Sequence, residues 1–311
     1  MNILVTGGCG YKGSVLVPKL LAEGHHVTVI DVMWFGNFLA PHVNLTVIQG
    51  TVLEPESISM DGVEAVIHLS SVANDPCGDL DPALTWETSA LATMQLADKA
   101  ARQGVKQFLY ASSGSVYGIK DEKQVTEDLE LKPVSAYNKT KMVSERVLLS
   151  YSDEMKVQIL RPATVCGLSP RMRLDVSVNL LTMAALTKGE ITVFGGKQVR
   201  PNVHIDDITD TYLHFLKNPD ITGIYNVGFE NISILEIAEM VTEFVPVKIK
   251  VTASNDLRSY RVNSDKLLAT GFKPKKTVRD AIGEIVVAFN AGKLKDEPHF
   301  HNLKWMQEKV L

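Results

Sequence analysis

The stretch that most narrows what this chain can fold into is Thr6-Gly7-Gly8-Cys9-Gly10-Tyr11-Lys12-Gly13, with glycines in the pattern G-x-x-G-x-x-G. It directly follows Asn2 to Thr6, an apolar run that suits a buried parallel strand. Ser14 to Glu23 then carries Val15, Leu16, Leu20 and Leu21 on one side, the spacing of an amphipathic helix. Gly24 ends that helix, and His26 to Ile30 predicts a second strand that stops at Asp31. Strand, glycine turn, helix, strand and acid form one unit. Its glycines permit a tight turn and bring the backbone close to a pyrophosphate seated on a helix N-terminus, where N–H groups and dipole both favour an anion. Gly7, Gly10, Tyr11, Lys12 and Gly13 are the cofactor-binding candidates of this turn. Asp31 is placed to accept hydrogen bonds from an adenosine ribose. No Arg or Lys occurs in Val32 to Gly36 to neutralise a 2′-phosphate, so the pattern points to NAD rather than NADP. A glycine turn without a ligand would explain the glycines alone, but not the helix and the acid in register with them.

A chain of 311 residues that is 45% hydrophobic can bury a large core. The net charge of -4 argues against nucleic acid as a partner. Cys9, Cys77 and Cys166 show no C-x-x-C spacing and no histidine at ligand distance in sequence, so neither a disulfide framework nor a metal site is expected. With no signal peptide and no apolar run long enough to cross a bilayer, a cytoplasmic protein without membrane attachment is expected.

Further strands are predicted at Asn44–Gln49, Glu64–Leu69, Phe108–Ala111 and Val157–Leu160, alternating with helices over Ala83–Gln103 and Ser135–Ser150. That alternation demands crossover connections and a mostly parallel, doubly wound α/β sheet of Rossmann type. His68 ends one strand beside Ser70 and Ser71, and a hydrogen-bonded wall residue is the expectation for it. Past Arg161-Pro162 loops lengthen and strands shorten. This predicts a NAD-binding domain over 1–165, rejoined by segments near 200–230, and a smaller, discontinuous α/β substrate domain over 166–311. Ile205–Leu216 reads as a helix returning to the first domain, and Ser233 as the cap of Ile234–Phe244. The stretch Asp296–Leu311 is polar, with His299 and His301 expected to be solvated.

Tyr137 and Lys141 are four apart on a predicted helix and so share a face. Lys141 beside Tyr137, with a nicotinamide cation nearby, would lower the phenol pKa. A phenolate can take the proton from a sugar hydroxyl as hydride leaves the same carbon. Ser113, at the end of the preceding strand, can hold the same oxygen.

With these motifs the chain resembles the extended short-chain dehydrogenases/reductases, the NAD-dependent epimerase/dehydratase group acting on nucleotide sugars. The likeness rests on Thr6–Gly13, Asp31, His68-Leu69-Ser70-Ser71, Ser112 to Gly118, Tyr137 with Lys141, Arg161-Pro162-Ala163-Thr164, and Arg200 to Asp207. It implies an enzyme in which Ser113, Tyr137 and Lys141 are catalytic. It also implies that Leu69, Ser70, Ser71, Ser112 and Pro162, together with Tyr137 and Lys141, complete the cofactor site. A homodimer would form through a four-helix interface made by Ala83–Gln103 and Ser135–Ser150 and their copies. The intact Ser113, Tyr137 and Lys141 favour an enzyme over a non-catalytic NAD-binding regulator on the same fold, because a sensor needs no proton relay.

Within the family, Ser169 to Asp175 is similar to a subgroup that includes GDP-heptose 4-dehydrogenases, and Asp256 to Tyr260 resembles its nucleotide-contacting segment. Arg171, Arg173, Arg200 and Arg258 are then candidates to hold the substrate diphosphate, since guanidinium forks suit phosphate oxygens. Thr164 stands where relatives carry a substrate-contacting Asn, Thr51 where many have an acid that contacts adenine, and Ser89 at a usual Asn position near the cofactor. Gly114 and Ser115 stand where the 4,6-dehydratases of the family have an Asp-Glu pair. The expected outcome is therefore epimerisation or a 4-keto sugar with NADH left behind, with a dehydratase or reductase as the alternative. The base (UDP, GDP, dTDP or CDP) and the sugar stay open.

Overall fold

The computed structural model describes residues 1–120, 122–253 and 259–310. Twelve strands are present among them: β1 (Asn2–Thr6), β2 (His26–Asp31), β3 (Leu45–Gln49), β4 (Ala65–His68), β5 (Gln107–Ala111), β6 (Lys156–Pro162), β7 (Thr164–Cys166), β8 (Glu190–Phe194), β9 (Val199–His204), β10 (Gly223–Val227), β11 (Glu230–Ser233) and β12 (Lys248–Thr252). Seven form one parallel sheet in the order β10-β6-β5-β4-β1-β2-β3. This is a Rossmann-type α/β fold.

The central strands read as continuous apolar runs because helices cover both faces. Their side chains alternate between two cores. Ile3 and Val5 of β1 pack with Leu16, Val17 and Leu20 of the helix Gly13–Ala22, and with Ile208, Tyr212 and Phe215 of the helix Ile205–Lys217. Leu4 joins Leu96, Ala97 and Ala100 of the helix Ala92–Arg102 on the other face. Phe108 and Tyr110 of β5 follow Leu4, whereas Leu109 and Ala111 follow Ile3.

Three shorter strands form a second sheet, β11-β9-β7, and β12 pairs with β8 in a third. A separate core of Val178, Ile191, Ile237, Val241 and Ile282 holds these to the helices Ser177–Lys188, Ile234–Phe244 and Val278–Asn290. A capping box at Ser233 and Glu236 starts the second of those helices. Among the described residues no helix is long and apolar enough to cross a membrane.

The stretch expected to be helical over Ala83–Gln103 is helical from Pro82 to Arg102, with a π-turn at Glu87–Leu91 inside it, where Ser89 turns inward to bond Ser71 at 3.0 Å. One expectation needs correction. The stretch after Asp296 is no solvated tail. It forms a helical turn, Pro298–Phe300, and a helix, Asn302–Lys309, with Phe300, Asn302 and Met306 buried. Trp305 Nε1 donates to the carbonyl of Trp34 at 2.7 Å, and His301 pairs with Asp296 at 2.6 Å. Its apolar positions were too few to register as a periodic face, because the helix buries only one edge.

Candidate active site

In an open parallel sheet, ligands bind beyond the carboxyl ends of the strands where the strand order reverses. Here the order reverses between β1 and β4, and a cavity of about 370 Å³ opens at that edge. It is lined by the segments that leave β1, β2, β3, β4, β5 and β6, together with Arg171, Arg173, Val176, Tyr260 and Asn302.

The glycine turn leaves β1 with Gly7 at φ +71°, and a Cβ there would stand 2.7 Å from the backbone nitrogen of Ser70. A Cβ at Gly13 would meet the carbonyl oxygen of Gly8 at 2.3 Å. Only glycine fits either place, and the turn thereby sets the N-terminus of the helix Gly13–Ala22 against the cavity, as a dinucleotide diphosphate requires. Gly7→Ala is expected to abolish detectable NAD binding in calorimetry, whereas Gly24→Ala, also strained at φ +81° but outside the cavity, lowers stability and leaves binding intact.

Asp31 lines the cavity at the end of β2, its two oxygens accepting from the backbone N–H of Cys9 at 2.9 Å and of Met33 at 2.8 Å. Burial outweighs these bonds and raises its pKa. The Asp31 end of the cavity also receives a cation that no reading of the residues next to Asp31 could supply. Arg171, 1% exposed, stacks on Phe35 with its guanidinium carbon 4.0 Å from the ring centre, and donates to Asn302 Oδ1 at 2.7 Å. Its Nε has no partner among the described residues, and Asp31 is one of the charges acting on it.

Leu69, Ser70 and Ser71 after β4, Ser112 and Ser113 after β5, Pro162 at the end of β6 and Thr164 at the start of β7 all line the same cavity, as do Tyr11, Lys12, Tyr137 and Lys141. Tyr11 reaches out of the turn to the second sheet, donating to the carbonyl of Gly167 at 2.7 Å. His68 is fully buried between Thr6 (2.6 Å) and Thr93 (2.9 Å), and burial, then the charge of Lys141, brings its pKa down to about 3. It is a neutral wall residue.

Ser135 caps the helix Ala136–Leu149, which presents Tyr137 and Lys141 one turn apart. Lys141 Nζ donates to the carbonyl of Ala111 at 2.8 Å and stands 5.8 Å from the Tyr137 ring centre. Burial, followed by the charge of Lys12, holds its ammonium well below the ordinary value. The expected lowering of the Tyr137 phenol by Lys141 does not occur in the protein alone. Burial pushes that phenol up to about 12, with the Asp75 carboxylate adding to the rise and Ser113 and Arg173 opposing it.

Ser113 Oγ is 2.7 Å from Ser115 Oγ, and Ser115 donates its single proton to Asn138 Oδ1. Ser113 is therefore the donor to Ser115. Ser115 and Asn138 orient it, a role signalled in the sequence only by Asn138 following Tyr137 directly. Asp75 was also missed. It follows Asn74, which has φ +75° and caps the four-residue helix Asp75–Gly78 by accepting from the N–H of Cys77. Asp75 accepts from the Ser135 hydroxyl and faces the cavity. Asn-Asp-Pro after a strand end was the available signal.

Of the four arginines grouped by sequence, only two reach the cavity among the described residues. Arg173 does so clasped by Asp175 through bonds of 3.0 Å and 3.0 Å. Burial alone would lower the pKa of Arg173, but Asp175 outweighs it. Arg200 lies on β9 and does not line the cavity, and Arg258 falls outside the described residues. Trp34, Phe35 and Thr51 line the cavity, and the two aromatics also pack against Val72, Cys77 and Met306.

His204, Asp206 and Glu284 lie close enough together to suggest a metal. His204 Nδ1, however, accepts from the N–H of Asp206, which leaves its Nε2 as donor to Glu284 at 3.1 Å. Both ring nitrogens are satisfied, and the group is a structural cap.

Comparison with known proteins agrees with this geometry. Residues 3–228 match the NAD dependent epimerase/dehydratase family. The UDP-glucose 4-epimerase of Lactobacillus helveticus is 29% identical, the match covering 91% of this chain and 95% of that protein. The UDP-glucose 4-epimerase of Thermus thermophilus, solved in complex with NAD, superposes with a TM-score of 0.84 at 25% identity, covering 93% of this chain and 99% of that one. MoeE5, solved with UDP-glucose and NAD, gives 0.82 at 25% identity over 94% and 99%. The chain thus belongs to the NAD dependent epimerase/dehydratase family, and is an enzyme that transforms nucleotide sugars with NAD as cofactor.

Proposed function

We propose that the enzyme oxidises the C4 hydroxyl of a nucleotide-diphosphate sugar, with Tyr137 as base, Ser113 holding the reacting oxygen and Lys141 steadying the cofactor ribose. The observation that carries this reading is the convergence of Ser113, Tyr137 and Lys141 on one cavity with the glycine turn. NAD, when bound, supplies the hydride acceptor and a positive charge that favours the phenolate. Tyr137 takes the hydroxyl proton as the C4 hydride departs, leaving a ketone. Gly7, Gly10, Tyr11, Lys12, Gly13, Asp31, Leu69, Ser70, Ser71, Ser112 and Pro162 complete the cofactor site in this reading, and Thr164 faces the sugar. Arg171 belongs with the adenosine end and Arg173 with the reacting end, rather than both with the substrate diphosphate.

Loss of water from C6 needs an extra acid and base. Gly114 and Ser115 offer no carboxyl group, Asp175 is clasped by Arg173, and Asp75 is bonded to Ser135. The keto sugar therefore keeps its C6 oxygen and is either re-reduced as an epimer or released. Relatives named for UDP sugars favour UDP, and the likeness of Ser169–Asp175 to GDP-heptose 4-dehydrogenases favours GDP. A thermal-shift screen of UDP-, GDP-, dTDP- and CDP-sugars on NAD-loaded protein separates these, since selective binding raises the melting temperature by mass action. Mass spectrometry of the product then shows an unchanged mass for an epimer or a loss of two hydrogens for a ketone. Loss of water as the main outcome overturns the reading.

NAD is expected to bind more tightly than NADP, and Asp31→Ala to narrow the gap by removing both the ribose bonds and the repulsion of a 2′-phosphate. Calorimetry giving equal or tighter NADP binding to the unmodified protein refutes this. A homodimer through the helices of 82–102 and 136–149 accords with Trp86, Leu91 and Met94, which are 39%, 45% and 41% exposed. Trp86→Glu with Met94→Glu should convert the dimer to monomer in sedimentation.

A further inference from the structure

The guanidinium of Arg171 is a buried cation that the protein itself serves incompletely. It is 1% exposed, borders the cavity and forms no ion pair with the described residues. Of its five N–H donors, the described residues take two. Nη1 donates to the carbonyl of Met172 at 3.1 Å, and Nη2 to Asn302 Oδ1 at 2.7 Å. Nε is buried without a partner among them. Arg173, two residues on, has its charge matched by Asp175. A buried charge without a counter-ion is costly, and an anion brought by a ligand offsets that cost.

Contacts on three sides fix where this cation stands. Its guanidinium carbon is 4.0 Å from the ring centre of Phe35. Phe35 belongs to the segment that leaves Asp31 and folds back on the glycine turn. Asp31 accepts from the N–H groups of Met33 at 2.8 Å and Cys9 at 2.9 Å, and Cys9 Sγ donates to Asn37 Oδ1 at 3.5 Å. The C-terminal helix Asn302–Lys309 docks on that same segment. Trp305, three residues after Asn302, donates to the carbonyl of Trp34 at 2.7 Å, and His299 stacks on Phe38 with ring centres 5.6 Å apart. Asn302 is 3% exposed and lines the cavity beside Arg171.

We propose that Arg171 binds the adenosine-phosphate half of NAD, and that Asn302, on the C-terminal helix, is the residue that aims it. The proposal rests on the reading that Asp31 holds the adenosine ribose, and deepens it. Arg171 supplies positive charge where the cofactor is anionic, Phe35 fixes the plane of the guanidinium by stacking, and Asn302 holds one prong of the fork. The C-terminal helix is then part of the cofactor site, and Arg171 has no share in the substrate diphosphate.

The test is calorimetric binding of NAD and ADP-ribose to the unmodified protein, Arg171→Met, Asn302→Leu and the double variant. UDP and GDP are titrated into the same four proteins saturated with NAD. Arg171→Met should weaken NAD and ADP-ribose alike, by about 10–100-fold, the scale of a hydrogen bond to a charged group. The nucleoside diphosphate that binds should change by no more than a few-fold. Asn302→Leu should weaken NAD by about 3–10-fold, the scale of one ordinary hydrogen bond. Because Asn302 acts through Arg171, the double variant should bind NAD no more weakly than Arg171→Met. Unchanged NAD and ADP-ribose affinity in Arg171→Met overturns the proposal, as does a loss confined to the nucleoside diphosphate or shared equally by every ligand. Additive losses in the double variant overturn the positioning role of Asn302. If Arg171→Met does not fold, Arg171→Gln, which keeps a polar tip without the charge, carries the same comparison. Asp31→Ala is the control for the underlying reading. If it weakens NAD while Arg171→Met does not, only the present proposal fails, and if it leaves NAD unchanged, the placement of the adenosine ribose fails.

Discussion

Tyr137→Phe is expected to lower turnover by roughly 10²–10⁴-fold, the range for a positioned acid–base group, while NAD affinity stays within a few-fold. The substitution keeps the ring, 5.8 Å from Lys141 Nζ, and removes only the hydroxyl that meets Ser113. The protein by itself holds the phenol up to about 12, chiefly by burial. The active phenolate therefore depends on positive charge brought by the loaded cofactor, and turnover should rise with pH as that form populates. In Tyr137→Phe this limb of the pH profile should vanish along with the rate. Turnover within a few-fold of the unmodified enzyme would remove Tyr137 from the base role.

The second large effect concerns stability. Arg161 and Glu145 are 2% and 1% exposed and form a two-pronged pair, Nη2 to Oε2 at 2.6 Å and Nε to Oε1 at 2.9 Å. Ser112 donates to the same carboxylate, and Arg161 Nη1 donates to the hydroxyl of Tyr117 at 2.7 Å. Tyr117 passes the chain on to Asn226 of β10 at 2.7 Å. One network thus joins β6, β10, the end of β5 and the helix that carries Tyr137. Arg161→Met leaves the Glu145 charge buried without its partner, and should cost about 3–5 kcal/mol in urea unfolding. Adding Glu145→Leu removes the stranded charge and should return a large part of that loss, because a buried pair exchanged for apolar groups is often close to neutral. A double variant no more stable than the single one would show that the pair stabilises the fold by its own attraction.

The legible part of this protein was local. Gly7, Gly10 and Gly13, the helix after them and Asp31 announce themselves because a parallel strand, a left-handed turn and a helix N-terminus each require particular residues at fixed offsets. The alternation of buried strands with helices determined the doubly wound sheet for the same reason, since a period of two or of 3.6 is set by the backbone. Tyr137 and Lys141 were readable together because four residues make one turn of helix.

What the sequence could not show was which distant segments meet. Arg171 was grouped with Arg173 because they are neighbours in the chain, yet the chain bends at Arg171 and the two guanidinium groups meet different partners. One lies on Phe35 near Asp31, and the other beside Asp175 and Tyr137. Asp75 and Asn138 carry no periodic signal, and gain a role only where the short helix Asp75–Gly78 docks on the cap of the Tyr137 helix. The residues after Asp296 looked like solvated tail until Trp305 reached the backbone of Trp34 and Asn302 reached Arg171. Even the charge states at the reacting end were decided by tertiary structure. Burial and neighbouring charges from separate loops, not the spacing of Tyr137 and Lys141, set where those two groups hold their protons.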